Sequence, residues 1–361
     1  MLCQFYPGWA ARQLKGHSDK MARNIYGLDL GTYEIKVFDK KKKIIWREKN
    51  AIAIRDEKYI FSVGDEAYEM YEKTPDNIQV VFPMKEGVIS RFDDMQYLLQ
   101  NLLHKDHRFA RGSEYLVAVP TDVTEVEKKA FFDLVMHSMA KAKEVNIVER
   151  AIADAVGMGL DVKNSKGIFI VNFGGETTEL SVVTMGGMVL NKMVKIGGIK
   201  IDHSIINLIR QHYDFLIGRL TAESLRLECS LYKSESDLIG KSVAGRDLAT
   251  GVPQLKEIPL AIVKMALVDP LDQCIHEIRS MLERTPPEVL AAIQQNGIFI
   301  TGGFSRLKGL AAYLEIKTGI PVKRARAADI NTVVGLEQII SSSDLKGLTY
   351  SMLDKNYRWL K

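Results

Sequence analysis

The residues of this chain whose types and spacing point to chemistry sit in three glycine turns. In GIFIVNFGGETTELSVVTMGG, residues 167–187, Gly174 and Gly175 lie between two apolar runs, and Thr177 and Thr178 follow as hydroxyl donors. In NIYGLDLGTYEIKVFD, residues 24–39, the plan repeats: an apolar run, Asp29, a turn at Gly31 and Thr32, then Ile35, Val37 and Phe38. In GIFITGGFSRLKGL, residues 297–310, a strand runs into Gly302 and Gly303 and on into a helix. Glycine lets backbone amides come close to a ligand, and a row of exposed amides binds anions. The chemistry these residues suit is phosphate binding. Taken alone, each stretch also reads as an ordinary glycine turn.

Apolar periodicity supplies the elements that must position these turns. The first two stretches read as strand, turn, strand. Two such hairpins this far apart point to two domains of one design. Between them, residues 83–94 read as a loop into a helix that continues through Leu103, and 115–119 as a buried strand. Thr124 with Glu127 forms a capping box that opens a helix with Ala130, Leu134 and Val135 on one face. A short strand over 144–148 precedes a helix over 151–160, rich in Ala and Gly as suits close packing near a cleft. Helices follow over 202–213, over 221–228 with Thr221 as its cap, over 262–282, and from about 332. Residues 244–256 read as extended. Strands alternating with helices predict α/β domains with helices on both faces.

A chain of 361 residues exceeds what one core serves, so two domains are expected. The 49 Lys plus Arg against 45 Asp plus Glu, a net charge of +4, are too balanced to imply nucleic acid. Cys3, Cys229 and Cys274 show neither metal spacing nor a disulfide framework, which fits a reducing cytosol. No apolar run approaches the ~20 residues that span a bilayer. Residues 1–23 mix Phe5, Tyr6 and Trp9 with Arg12, Lys15 and Lys20. Two readings stay open there: a membrane-interface segment, or a disordered extension before a start at Met21. The basic loop 104–111 and the tail after Ser341, ending in Tyr357, Trp359 and Leu360, read as solvated or as minor contacts.

The three turns, with PMKEGVISRF, AVPTDVTEVEKKA, KIGGIKIDHSIINLIR and IGRLTAESLRLE between them, resemble the superfamily of actin, the heat-shock ATPase chaperones and the sugar kinases. They are most similar to bacterial MreB, in order and spacing, over about residues 26–340. The resemblance implies an actin-like, ribonuclease H-like duplicated α/β fold with a nucleotide cleft between two domains. Its implied parts are an extension (1–23), a first domain (24–160, with the helix from about 332 returned to it), a second domain (161–340) and a tail (341–361). It implies ATP with Mg2+, self-assembly into protofilaments and a cytoplasmic place at the inner face of the cell membrane. Partners there would be the membrane surface and cell-shape or cell-wall machinery.

Matched residue by residue, the resemblance assigns Gly31, Thr32, Tyr33 and Glu34 to the first phosphate turn and Gly174, Gly175, Glu176, Thr177 and Thr178 to the second. Asp29 and Asn172 would face the metal through water, a carboxylate and an amide for a hard cation. Lys36 would reach a phosphate, and Asp202 would lie near the metal or the ribose. Glu223, Ser224, Leu225 and Arg226 would hold the adenosine, with Gly302, Gly303, Phe304, Ser305 and Arg306 as the strip under the purine. Four residues depart from the family's pattern. Asn172 replaces an aspartate, Glu176 and Phe304 replace small turn residues, and Arg150 stands where a glutamate orients the attacking water. Arginine cannot act as that base. Glu176 aimed at phosphate would cost about 4 kcal/mol at ~4 Å and an effective dielectric of ~20. These departures predict slow or absent hydrolysis and an ion pair from Glu176 to Arg150, or to Lys36, in the space of the terminal phosphate. A degenerate paralogue, acting as a non-hydrolysing filament subunit or partner-binding module, is the alternative. A metabolic kinase would need a base for a substrate hydroxyl and a sugar-binding insertion, and neither is visible.

Overall fold

The computed structural model describes residues 24–104, 112–137, 142–232 and 240–353. The segment 1–23, the loop around Phe109 and the end of the tail lie outside the described residues.

Two five-stranded sheets repeat one plan. The first has the order β10-β9-β1-β2-β3, from β1 (Ile25–Leu30), β2 (Glu34–Asp39), β3 (Ile44–Lys49), β9 (Glu114–Val119) and β10 (Glu144–Glu149). The second has the order β13-β12-β11-β17-β18, from β11 (Ile168–Phe173), β12 (Thr178–Thr184), β13 (Gly187–Val194), β17 (Ile298–Thr301) and β18 (Val322–Arg324). In each, an antiparallel three-strand meander offers its first strand to two successive parallel strands. Smaller sheets are appended to each half. One comprises β4 (Ile52–Arg55), β5 (Tyr59–Val63) and β6 (Ile78–Val81), beside a hairpin of β7 (Met84–Lys85) and β8 (Val88–Ile89). The other comprises β14 (Phe215–Leu216), β15 (Gly240–Asp247) and β16 (Pro253–Pro259). The helices are α1 (Asp65–Glu69), α2 (Phe92–His104), α3 (Glu125–Met136), α4 (Arg150–Gly157), α5 (Gly198–Tyr213), α6 (Arg219–Glu228), α7 (Leu260–Arg284), α8 (Pro287–Asn296), α9 (Leu310–Thr318) and α10 (Asn331–Ser341).

Strand alternation explains the layers. On β11, Phe169, Val171 and Phe173 join a core with α5 and α7, whereas Ile168 and Ile170 join a core with α4 and α10. On β1, Tyr26, Leu28 and Leu30 pack with Leu98, Leu99 and Phe131 of α2 and α3. Leu116 and Ala118 of the first sheet share the α4–α10 core with β11. Those two helices therefore lie between the sheets, and the chain passes from one half to the other through α4 and returns through α10.

The small residues read in α4 serve this crossing. A Cβ added to Gly335 of α10 would stand 1.8 Å from the Ala153 carbonyl oxygen of α4. We expect Gly335→Ala to destabilise the fold by about 2–3 kcal/mol, as overpacking does, read from the urea midpoint. An unchanged midpoint would show that the helices can part without loss.

Local signals held in part. Thr124 caps α3 as expected, accepting from the Glu127 amide at 3.3 Å while Glu127 accepts from the Thr124 amide at 2.7 Å. Thr221 does not cap its helix: α6 starts at Arg219, whose amide donates to Glu72 at 2.8 Å. A carboxylate from the other half thus meets the positive end of α6. The tail is tied down as far as it is described. Tyr350 bridges to Ile147, and its hydroxyl donates to Glu149 at 2.9 Å.

Candidate functional site

The two main hairpins end in the same turn. The Gly31 amide donates to the Glu34 carbonyl at 3.2 Å, and the Gly174 amide donates to the Thr177 carbonyl at 2.8 Å. A Cβ would lie 2.7 Å from that carbonyl oxygen at Gly31 and 2.9 Å at Gly174, so only glycine closes either turn. Asn50 Nδ2 holds the first turn through the Gly31 carbonyl at 2.9 Å. The amides of Gly198 and Ile199, opening α5, hold the second through the carbonyls of Gly174 and Gly175 at 3.2 and 2.8 Å. The turns abut across the cleft: a Cβ on Gly175 would stand 2.8 Å from Tyr33 Cβ.

Beneath the turns lies a buried charge network. Asp29 and Lys36 are register partners on β1 and β2, and Lys36 Nζ is 3.5 Å from Asp29 Oδ2. Arg150, the first residue of α4, is 8 % exposed. Its Nη2 donates to the Leu30 carbonyl at 3.1 Å, its Nη1 to Glu179 Oε1, and its Nε lies 3.5 Å from Asp29 Oδ1. Burial opposes the charge on Arg150, but Glu179 and then Asp29 outweigh it and raise the guanidinium pKa. Glu179 Oε2 also accepts from the Thr121 amide at 3.3 Å. The network joins β1, β12 and α4.

The expected pair between Glu176 and Arg150 does not form, nor does one to Lys36. Glu176 Oε2 instead accepts from the Glu86 amide of the β7–β8 hairpin at 2.5 Å. Burial raises its pKa, and that amide works against the rise. Side-chain direction is the cause. Glu176 lies in the turn and reaches outward to β7–β8, whereas Glu179 stands on β12 and alternates inward with Ser181, whose hydroxyl is 3.2 Å from that of Thr121.

Asn172 Nδ2 donates to Asp154 Oδ2 of α4 at 2.7 Å. Asp154 also accepts from the Thr332 hydroxyl at 2.7 Å and Asn331 Nδ2 at 3.3 Å, both of α10. Burial pushes its carboxyl up to about 7 against these donors.

On the far side, Arg226 Nε donates to Asp202 Oδ1 at 2.6 Å and lies over the Phe304 ring at 5.5 Å. Burial, opposed by Arg226, pushes Asp202 up to about 6. Glu223 accepts from the hydroxyls of Tyr33 at 2.9 Å and Tyr68 at 3.2 Å. Burial first, then Tyr68 and Glu223, raise the Tyr33 pKa. The first turn and α6 are thus hydrogen-bonded to each other across the cleft.

Not every residue read from the sequence faces this cleft with a free group. Leu225 packs in the second core and Ser224 is exposed. The Thr178 hydroxyl donates to the Ile196 carbonyl and that of Ser305 to the Gly302 carbonyl, each at 2.7 Å. Arg306 pairs with Asp329 at 3.1 Å. Phe304 is buried against Phe173, ring centroids 6.0 Å apart. Thr32 and Thr177 are buried in their turns. Sequence reading missed Glu179, Asp154, Tyr68 and Arg219. Arg219 donates to the Tyr68 hydroxyl at 3.1 Å and lies 4.8 Å over the Tyr71 ring. The available signals were the polar face of Glu179 and Ser181 on an apolar strand and the lone acid in an Ala-rich helix.

The donors fit a magnesium ion poorly. Magnesium takes carboxylate and water oxygens, but each Asp29 oxygen already faces a cation at 3.5 Å. Asn172 adds no charge. Among the described residues no group of three or more His, Cys, Asp or Glu is placed to hold a metal.

A duplicated sheet plan, two like glycine turns meeting in an interdomain cleft and a third at Gly302 define an actin-like fold. The MreB/Mbl protein family matches residues 23–346, and the chain belongs to that family. The cell shape-determining protein MreB of Escherichia coli K12 is 36% identical over 310 residues, 84% of this chain and 89% of that protein. The cell shape-determining protein Mbl of Bacillus subtilis 168 is 33% identical over 304 residues, 83% of this chain and 90% of that protein. The crystal structure of MreB5 of Spiroplasma citri bound to ADP superposes with a TM-score of 0.84 at 27% identity, covering 90% of this chain and 98% of that one.

Proposed function

We propose that this chain is an MreB-type cytoskeletal subunit. It binds adenine nucleotide in the interdomain cleft, assembles into protofilaments at the inner face of the cell membrane and helps to set cell shape. The observation that carries the reading is the pair of like glycine turns meeting across the cleft, in a chain whose relatives are shape-determining proteins. An ADP-bound relative of the same fold supports the nucleotide. The division into domains 24–160 and 161–340, with the last helix returned to the first, belongs to this proposal, as do the nucleotide roles of both turns, Lys36, Asp202, Glu223, Arg226 and the Gly302 turn. So do the membrane and the cell-shape or cell-wall machinery as partners. No described helix is long and apolar enough to cross a membrane. The Mg2+ expected with the nucleotide is the part its donors do not support.

Within this reading, Arg150 favours a subunit that hydrolyses ATP very slowly or not at all. It offers no acceptor to orient a water, and Glu179 and Asp29 hold it in place. Sedimentation and phosphate release, measured together with ATP, test both statements. We expect pelletable filaments with phosphate release at or near background. Monodisperse monomer at high concentration with ATP and on lipid would remove the filament reading, and brisk turnover would remove the hydrolysis claim.

A further inference from the structure

We propose that Arg150 stands in for the divalent cation of this cleft, so that the chain binds adenine nucleotide in its metal-free form. The inference rests on the nucleotide reading above.

The floor of the cleft carries two cations, Lys36 and Arg150, against two anions, Asp29 and Glu179. The charges balance with no metal present. The Asp29 carboxylate, to which a hydrated cation would bind, has Lys36 Nζ 3.5 Å from one oxygen and Arg150 Nε 3.5 Å from the other. A divalent ion placed there would have to displace both or lie against two fixed positive charges in a buried site, where repulsion is strong. The second expected contact, Asn172, is neutral and could offer a cation only its Oδ1, its Nδ2 being held by Asp154.

Arg150 is ion-paired with Glu179 and Asp29, yet its Nε makes no hydrogen bond. Its Nη groups hydrogen-bond to Glu179 and the Leu30 carbonyl, whereas Nε is buried and has no hydrogen-bond acceptor. Guanidinium groups bind phosphate oxygens through such N–H edges and need no metal to do so. The Nε–H faces Asp29 Oδ1 at 3.5 Å, so its charge is taken up by the carboxylate a hydrated cation would otherwise bind. Arg150 sits at the root of the first turn, bonded to the carbonyl of Leu30 next to Gly31. A polyphosphate settling on the paired turns would therefore meet a floor whose carboxylates Arg150 and Lys36 already neutralise, the service that Mg2+ otherwise performs.

The test is calorimetric titration of the full chain with ATP and with ADP, in excess EDTA and again in millimolar MgCl2. We expect dissociation constants that agree within about threefold between the two conditions. Arg150→Gln should weaken binding in EDTA about tenfold and create a magnesium preference, while Arg150→Lys keeps most of the metal-free affinity. Binding that appears only with magnesium, or tightens tenfold or more on adding it, overturns the inference and leaves the nucleotide reading intact. Binding in neither condition overturns both. If Arg150→Gln does not fold, the comparison on the unaltered chain still decides.

Discussion

Arg150→Met should lower the unfolding free energy by about 4 kcal/mol, the range seen when one partner of a buried ion pair is removed. The guanidinium now faces Glu179, Asp29 and the Leu30 carbonyl in a buried site. Without it, Asp29 keeps Lys36, but among the described residues Glu179 keeps only the Thr121 amide. Glu179 is then a buried, uncompensated carboxylate. Neutralising it as well should restore much of the loss, because the cost lies in the orphaned charge rather than in a missing contact. Urea denaturation of Arg150→Met, Glu179→Gln and the double variant measures this. The double variant should be clearly more stable than the sum of the singles predicts. A loss under about 1 kcal/mol in Arg150→Met, or additive singles, would mean the network is solvated or dispensable.

The second large effect is a loss of stability as pH rises from about 4 to 7. Asp154 is a fully buried acid whose carboxyl is pushed up to about 7 by burial, outweighing the donors from Asn172 and Thr332. In the unfolded chain such a group titrates near 3.9. The folded protein therefore holds this proton more tightly than the unfolded one. Its stabilising contribution is full below the unfolded pKa and is lost as pH rises through the folded value. Three pH units correspond to about 4 kcal/mol. Asp202, pushed up to about 6, acts in the same direction. Urea midpoints from pH 4.5 to 8 should fall in the unaltered chain and fall less in Asp154→Asn, which carries no proton to lose. Parallel slopes in the two proteins would remove Asp154 as the cause. Because Asp154 joins α4 to β11 and α10, the loosened contact is the one through which the two halves meet.

The residues legible beforehand share one property: their roles are local. Glycine opens each turn because a carbonyl three residues on leaves no room for a Cβ, a constraint contained within Gly31 to Glu34 and within Gly174 to Thr177. Apolar runs and alternation gave the strands, and the Thr124–Glu127 capping box gave the start of α3. Asp29 and Lys36 are placed by the same hairpin register, but that they pair with each other, rather than Asp29 facing a metal and Lys36 a phosphate, is a finding of the structure. The same locality let motif order and spacing reveal the actin-like class and the family. Side-chain partners from distant segments were not legible. Arg150 was read as a possible partner of Glu176 and takes Glu179, 29 residues on, because strand alternation turns one acid inward and the turn sends the other to Glu86. Glu223 meets Tyr33 across 190 residues, and the N-terminus of α6 meets Glu72 rather than Thr221, because the two halves close on each other. The sequence by itself determined the turns, the elements and the duplicated plan, since backbone geometry and periodicity act over a few residues. Only the tertiary structure decided which charges neutralise one another in the cleft, since that depends on which side chains packing brings within reach and which it buries away from water.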